Sequence, residues 1–323
     1  MEKIHIEKGS VQETLIVPLY ARKLCAEQFP TLYQDKYAAM ICDRLDYDFT
    51  QFKKKESSAL YQFGGLEGAM REKDILWEIA DYLKDHPKAA VVNMGCGLNM
   101  TGRSADNGTC RIYNLDFPYV IRSRNQIIPA GEREENIACD LNDYSWMEKI
   151  DGTNGAIFYA AGVLHYFTTE QVRSLAAAMA EKFPGGRLVF DTVGKFGRDV
   201  LMKGTLKNMG INDVSGLFYA EGPADLTDWS PKVRLATRKS YMQGYYSLDD
   251  PGIKGIYRFL SGLCDRLAKM YINLLKTDCR WIYAAIEEIS ISFHSSCNGI
   301  SDGLCLQKRA ALPRRLLAHN LQQ

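Results

Sequence analysis

Ala89-Ala90-Val91-Val92-Asn93-Met94-Gly95-Cys96-Gly97 is the stretch that decides the fold. Its first six residues are a short apolar run suited to a strand buried on both faces. The run stops at a Gly-x-Gly turn, where the missing Cβ atoms let backbone come close to a bound nucleoside. A dinucleotide site would show G-x-G-x-x-G, whose third glycine lets helix pack on strand. Here the chain continues Leu98-Asn99-Met100, so a pyrophosphate cradle is disfavoured. The turn alone reads as a nucleoside site or as an incidental tight turn.

Four further strands are expected at Ile112–Leu115, Asn136–Cys139, Ala156–Ala160 and Arg187–Phe190, followed by Asp116, Asp140, Ala161-Gly162 and Asp191. A helix separates the last two. Thr168 and Gln171 make a capping box, Val172, Leu175, Ala176 and Met179 an apolar face, and Pro184-Gly185-Gly186 a stop. Upstream, residues 11–90 read as mostly helical. Asp74 is expected to cap a helix carrying Ile75, Leu76, Ile79, Ala80 and Leu83, ended by Pro87. Strands alternating with helices predict an α/β fold with a mostly parallel sheet, whose ligands bind beyond the carboxyl ends of the strands. Further on, Lys232–Tyr241 reads as a strand and Gly255–Lys269 as a helix through Ile256, Phe259, Leu260, Leu263 and Leu267. The chain from about 276 shows no pattern.

Asp116 lies 19 residues after Gly97 at a strand end, where a carboxylate accepts both ribose hydroxyls of a nucleoside. Its other reading is a strand-end turn residue. Asp140 adds a side chain and amide for an adenine edge, with Asp143 as a competitor. Arg71 offers a guanidinium for the carboxylate of an amino-acid-like cofactor, or is an ordinary surface arginine. Cys96 has no histidine near it in sequence and sits where a cofactor should pass, so it reads as unreactive.

Composition narrows the classes. Of 323 residues, 46% are hydrophobic and 24% charged, enough for a full core. Lys+Arg 40 against Asp+Glu 39 gives no field drawing the chain to nucleic acid, and no N/D-P-P-Y motif follows the fourth strand. No apolar run reaches the ~18 residues of a membrane span, and the start shows no signal-peptide core. Nine cysteines without a C-x-x-C pair argue against zinc and predict reduced thiols in a cytoplasmic protein. No metal site is expected.

Glu13–Arg22, Leu45-Asp46-Tyr47-Asp48-Phe49, Val91–Leu98, Tyr113-Asn114-Leu115-Asp116-Phe117-Pro118 and Gly162-Val163-Leu164-His165-Tyr166-Phe167 stand in an order that resembles the leucine carboxyl methyltransferase family. The likeness is to its bacterial branch of polyketide-type O-methyltransferases and runs from about residue 10 to 195. It implies a Rossmann-like class I fold binding S-adenosylmethionine, with an N-terminal helical cap over 1–88, a core over 89–275 with a substrate lid at about 195–260, and a C-terminal extension over 276–323. It further implies Arg71 on the methionine carboxylate, Gly95, Cys96, Gly97 and Asn99 along the cofactor, and Asp116 with Phe117 at the ribose. Asp140 and Leu141 would take the adenine, Ala160, Ala161 and Gly162 would border the amino-acid portion, and Arg22 would close over cofactor or substrate. Two positions depart from the family: Asn99-Met100-Thr101 replaces an acid followed by Thr-Arg, and Ala161 stands where the eukaryotic branch has an acid.

The implied reaction is methyl transfer to an oxygen, carboxylate or hydroxyl, of a small-molecule acceptor. A carboxylate needs no base at pH 7, whereas a phenol benefits from one. His165 is the candidate base, or a packed histidine at a helix start; Tyr166 orients the acceptor, or fills the core. A cofactor-binding module without turnover and a nicotinamide-dependent oxidoreductase are the alternatives.

Overall fold

Residues 3–6, 11–202, 216–242, 248 and 253–277 are described by a computed structural model. The N-terminal layer begins with β1 (Ile4–His5), followed by α1 (Val11–Gln28) and α2 (Lys36–Arg44). Asp35 starts α2 by accepting the N–H groups of Tyr37 and Ala38, both at 2.9 Å. Next, β2 (Leu45–Asp46) pairs in parallel with β1, and α3 (Thr50–Lys53) is a single turn. The layer closes with α4 (Ala59–Asp85), one unbroken helix of 27 residues. Asp74 is therefore not a cap. No proline interrupts residues 59–85, so helix propagates past it and leaves its carboxyl buried mid-helix. The helix does stop before Pro87, as its fixed backbone requires.

The sheet follows. Its strands are β3 (Ala90–Met94), β4 (Arg111–Asp116), β5 (Glu134–Ala138), β6 (Ala156–Ala160), β7 (Arg187–Thr192), β8 (Val233–Ser240) and β9 (Tyr271–Thr277). Among the described residues their spatial order is β5-β4-β3-β6-β7-β9-β8. The first five strands are parallel, and β9 runs antiparallel between β7 and β8. Helices α5 (Thr101–Ser104), α6 (Pro118–Ile127), α7 (Thr169–Lys182) and α8 (Gly255–Leu267) complete the described elements. The capping box at Thr168 and Gln171 forms as expected.

Both sheet faces are covered. Val91, Ile112, Ile157 and Val189 pack with Leu66, Ile75 and Ile79 of α4. The alternate residues Val92, Leu115, Phe158 and Leu188 pack with Val172, Leu175 and Met179 of α7. Strands buried on two sides have no polar alternation, which is why the sequence shows them as continuous apolar runs.

Three boundaries differ from expectation. β5 ends two residues before Asp140. β8, inside the stretch assigned to a lid, is the edge strand of the sheet. β9 has no counterpart in the sequence reading and carries the core through Thr277, two residues past the expected limit of 275. The remainder of the C-terminal extension lies outside the described residues. In α8 the apolar positions Ile256, Phe259, Leu263 and Leu267 are exposed, whereas Tyr257 and Ser261 are buried.

Neither Asp74 carboxylate oxygen has a hydrogen-bond partner, and burial pushes the group up to about 8, against the pull of Lys239 and Lys73. In the unfolded chain an aspartate titrates near 4. The folded protein thus binds the extra proton, and this contribution to stability is complete below pH ~4 and lost as pH rises through about 8. Asp74→Asn should gain on the parent by up to about 1.4 kcal/mol per pH unit over that window. Thermal unfolding of both proteins from pH 5 to 9 measures this, and parallel curves would contradict it.

Candidate active site

The strand order reverses between β3 and β6, which opens a crevice at the carboxyl ends of the strands. Two turns meet there. Gly95 has φ +68°, and a Cβ on it would lie 2.5 Å from Cγ2 of Val163, in the turn after β6. Only glycine fits that contact and that backbone region. The N–H groups of Gly95 and Cys96 both donate to the Leu115 carbonyl, at 2.8 and 2.9 Å, folding the turn against β4.

Asp116 ends β4. Its Oδ2 accepts the Gly97 N–H at 2.8 Å and its Oδ1 the Phe117 N–H at 2.8 Å. Burial pushes its carboxyl above the usual range, against the two N–H donors and Arg124. An ionised carboxylate offers about four acceptor positions. Two serve backbone, which leaves capacity for the two hydroxyls of a ribose.

The sequence reading missed Arg124. It is buried on α6, and Nη1 donates to the carbonyls of Gly97 at 2.9 Å and Asn99 at 2.8 Å. Nε reaches Asn136 on β5 at 3.3 Å. The guanidinium thus ties the glycine turn to the strand two places away. Nothing in the local pattern of α6 marks it, because its partners are backbone carbonyls 25–27 residues distant.

Asn99 spends its Oδ1 on the N–H of Thr101 at 2.8 Å, at the start of α5, with Asn93 Nδ2 at 3.4 Å. A neutral amide oxygen suffices for that bond, so the departure from the family's acid keeps the local geometry. Arg22 is buried and grips the same turn from α1. Nη2 donates to the Leu98 carbonyl at 3.1 Å, while Nε meets Asp35 at 3.0 Å and Glu72 at 3.6 Å. Glu72 in turn accepts the Tyr33 hydroxyl at 2.7 Å and the Thr101 hydroxyl at 2.8 Å.

Beyond β5, Asp140 is exposed, and its Oδ1 accepts the Asn142 N–H at 2.9 Å. Leu141 is buried. Asp143 is taken up as the cap of the 3₁₀ turn Tyr144–Lys149, through Ser145 N–H at 3.1 Å. Phe117 is exposed and stacked on Tyr119, rings 5.8 Å apart. Cys96 is buried, which pushes its thiol up to about 12. It is a neutral thiol at pH 7 and no nucleophile.

A second cluster stands at the ends of β6 and β7. Asp191, fully buried, accepts Arg71 Nη1 at 2.9 Å and the Gly162 N–H at 2.7 Å. The Tyr241 hydroxyl donates to it, and His165 Nε2 lies 3.2 Å away. Burial alone would raise this carboxyl, but Arg71 and then His165 hold it well below the carboxylate range. An ionised carboxylate only accepts, so Nε2 carries the hydrogen; in neutral His165, Nδ1 is then a bare lone pair, buried with no partner. Gly162 has φ +71°, and a Cβ there would come within 3.0 Å of Arg71 Nη1. Ala160 is buried at the end of β6, while Ala161 and Tyr166 are half-buried. Burial raises the Tyr166 hydroxyl, partly offset by Arg71.

The structure therefore brings the two halves of the expected site together through the Gly95–Val163 contact. The residues fit an S-adenosyl group: a carboxylate with spare acceptor positions at one end, and at the other a guanidinium reached across a glycine whose Cβ would fill the gap. Among the described residues no group of three or more His, Cys, Asp or Glu could hold a metal ion, and no helix is long and apolar enough to cross a membrane.

Comparison with known proteins bears on the family of the chain. A family model described as leucine carboxyl methyltransferase matches residues 17–180. The tetracenomycin polyketide synthesis O-methyltransferase TcmP of Streptomyces glaucescens is 24% identical over 189 residues, 58% of this chain and 68% of that protein. The S-adenosyl-L-methionine-dependent methyltransferase dpfgK of Gibberella zeae is 25% identical over 290 residues, 82% of this chain and 94% of its own length. Among solved structures, a DUF574 family protein from Streptomyces avermitilis superposes with a TM-score of 0.51 at 12% identity, covering 82% of this chain and 97% of that one, a likeness of fold alone. The chain belongs to the leucine carboxyl methyltransferase family and is an S-adenosylmethionine-dependent methyltransferase.

Proposed function

We infer that the chain methylates a hydroxyl oxygen of a small-molecule acceptor. The observation that carries this reading is His165, whose Nε2 faces Asp191 and whose buried Nδ1 has no partner. A carboxylate acceptor is ionised at pH 7 and has no proton to give up. A phenol, with a pKa of about 10, reacts faster when a base removes its proton. The O-methyltransferase activity in the name of the Streptomyces glaucescens relative supports oxygen as the acceptor atom. Family membership removes the nicotinamide alternative, and the near-zero net charge supports a small molecule over nucleic acid.

Each residue has a role. Asp116 accepts the ribose hydroxyls, with Gly95, Cys96, Gly97 and Asn99 along the backbone beside it. Asp140 and Leu141 face the adenine edge, and Phe117 lies at the ribose beside Asp116. Arg71 holds the methionine carboxylate, while Ala160, Ala161 and Gly162 leave room for the amino-acid portion. Arg22 and Arg124 position the glycine turn through its carbonyls. S-adenosylmethionine, when bound, supplies an electrophilic methyl on a sulfonium. His165 takes the acceptor proton at Nδ1, and Asp191 fixes the imidazole and balances its positive charge. Tyr166 orients the acceptor oxygen, and alignment supplies much of the rate. The free thiols of the described cysteines support a reducing compartment, the cytoplasm.

Two substitutions test these roles. Asp116→Ala should weaken binding of S-adenosylhomocysteine at least tenfold by calorimetry, about 1.4 kcal/mol; unchanged affinity would remove Asp116 from the site. His165→Gln should cut methylation across a panel of phenols by roughly a hundredfold or more, with S-adenosylhomocysteine affinity unaltered. Benzoates methylated equally well by parent and variant would move the acceptor to a carboxyl group. No turnover of either panel at full cofactor affinity would favour a binding module.

A further inference from the structure

The motif Leu45-Asp46-Tyr47-Asp48-Phe49 takes no part in the crevice. Leu45 is buried in the core of the N-terminal layer. Asp46 pairs with His5 at 3.0 Å, joining β2 to β1, and Asp48 accepts the Thr50 N–H at 3.0 Å, opening α3. The acids of the motif thus hold local structure. The remaining two residues are rings. Tyr47 meets Phe49 edge-on at 5.2 Å, and Phe49 stacks on Tyr20 of α1 at 5.2 Å.

These three rings form the wall of a cleft of about 230 Å³. Lys3, Lys23 and Lys53 also line it, against a single lining acid, Asp43. Lys23 spends charge on Glu27 at 2.7 Å, and the Tyr20 hydroxyl donates to Glu56. Lys3 and Lys53 form no ion pair among the described residues. Small-molecule sites combine an aromatic lining with a few placed polar groups. Ring faces attract a flat aromatic ligand by offset or edge contacts, and the two unspent ammonium groups attract an anion. None of these residues belongs to the cofactor crevice.

We propose that this cleft is a second binding site, for a planar aromatic carboxylate. The ring packs against Tyr47 and Phe49, and the carboxylate meets Lys3 and Lys53. The proposal stands apart from the methyl-transfer reading and survives its failure.

Calorimetric titration of the full chain, saturated with S-adenosylhomocysteine, with 2-naphthoate and with 2-naphthamide separates charge from ring. The carboxylate should bind at least tenfold more tightly than the amide of the same shape. Lys3→Gln combined with Lys53→Gln should erase that preference, whereas Lys53→Arg alone should keep it. Retained affinity for S-adenosylhomocysteine in the double variant shows that it is folded. Equal affinity for the two probes, a preference that survives the double variant, or no binding of 2-naphthoate would each overturn the proposal.

Discussion

The hydrogen bond from the Gly97 N–H to the Asp116 carboxylate, 2.8 Å long, is the contact on which the site depends. It joins the turn after β3 to the end of β4 and fixes where the acid stands relative to the backbone that lines the crevice. It also orients the carboxylate without exhausting it, since each oxygen takes one amide and keeps a further acceptor position. A hydrogen bond to a charged group is worth about 1.5–3 kcal/mol net, so the turn and the acid hold each other in place. Arg124 and Arg22 pull on the carbonyls of the same turn from two different layers. The turn is thus clamped on its acceptor side by guanidinium groups, while its Gly97 N–H faces the acid and its Gly95 and Cys96 N–H groups the Leu115 carbonyl.

The placement of the candidate site in the fold was legible in the sequence in part. Gly95, Gly97 and Asp116 carry local signals. A glycine pair ending an apolar run and an acid ending the next strand follow from the sterics of a parallel sheet, and both fell where expected. Arg124 carries no such signal, because its role is set by packing between α6, the turn and β5. Asp74 misled in the opposite direction: an aspartate ahead of an apolar stripe reads as a cap, yet the helix ran through it because no proline precedes it and three glycines did not suffice to stop it. β9 follows β8 and α8 in strand–helix–strand order, and was missed because Asn273 and Lys276 break the apolar run of Tyr271–Thr277.

The second cluster has a different logic. Asp191 lies at the end of an expected strand, but its partners come from α4, the turn after β6 and the end of β8. Four contacts from such separate segments keep a buried carboxylate ionised, and that ionised group sets the tautomer of His165. Sequence order shows the histidine as a residue after a strand; only the fold shows that its second nitrogen is left buried and unpartnered. The proposed preference for a hydroxyl over a carboxyl acceptor rests on that nitrogen. The N-terminal layer repeats the pattern on a smaller scale, where the acids of one motif are consumed locally and its rings are turned to a cleft.

A crystal structure with S-adenosylhomocysteine bound tests the central claim most directly. The account predicts the ribose hydroxyls on the two oxygens of Asp116, with the Gly97 and Phe117 amide bonds to that carboxylate intact. An adenosine seated elsewhere, or an Asp116 carboxylate turned away from the sugar, would contradict it.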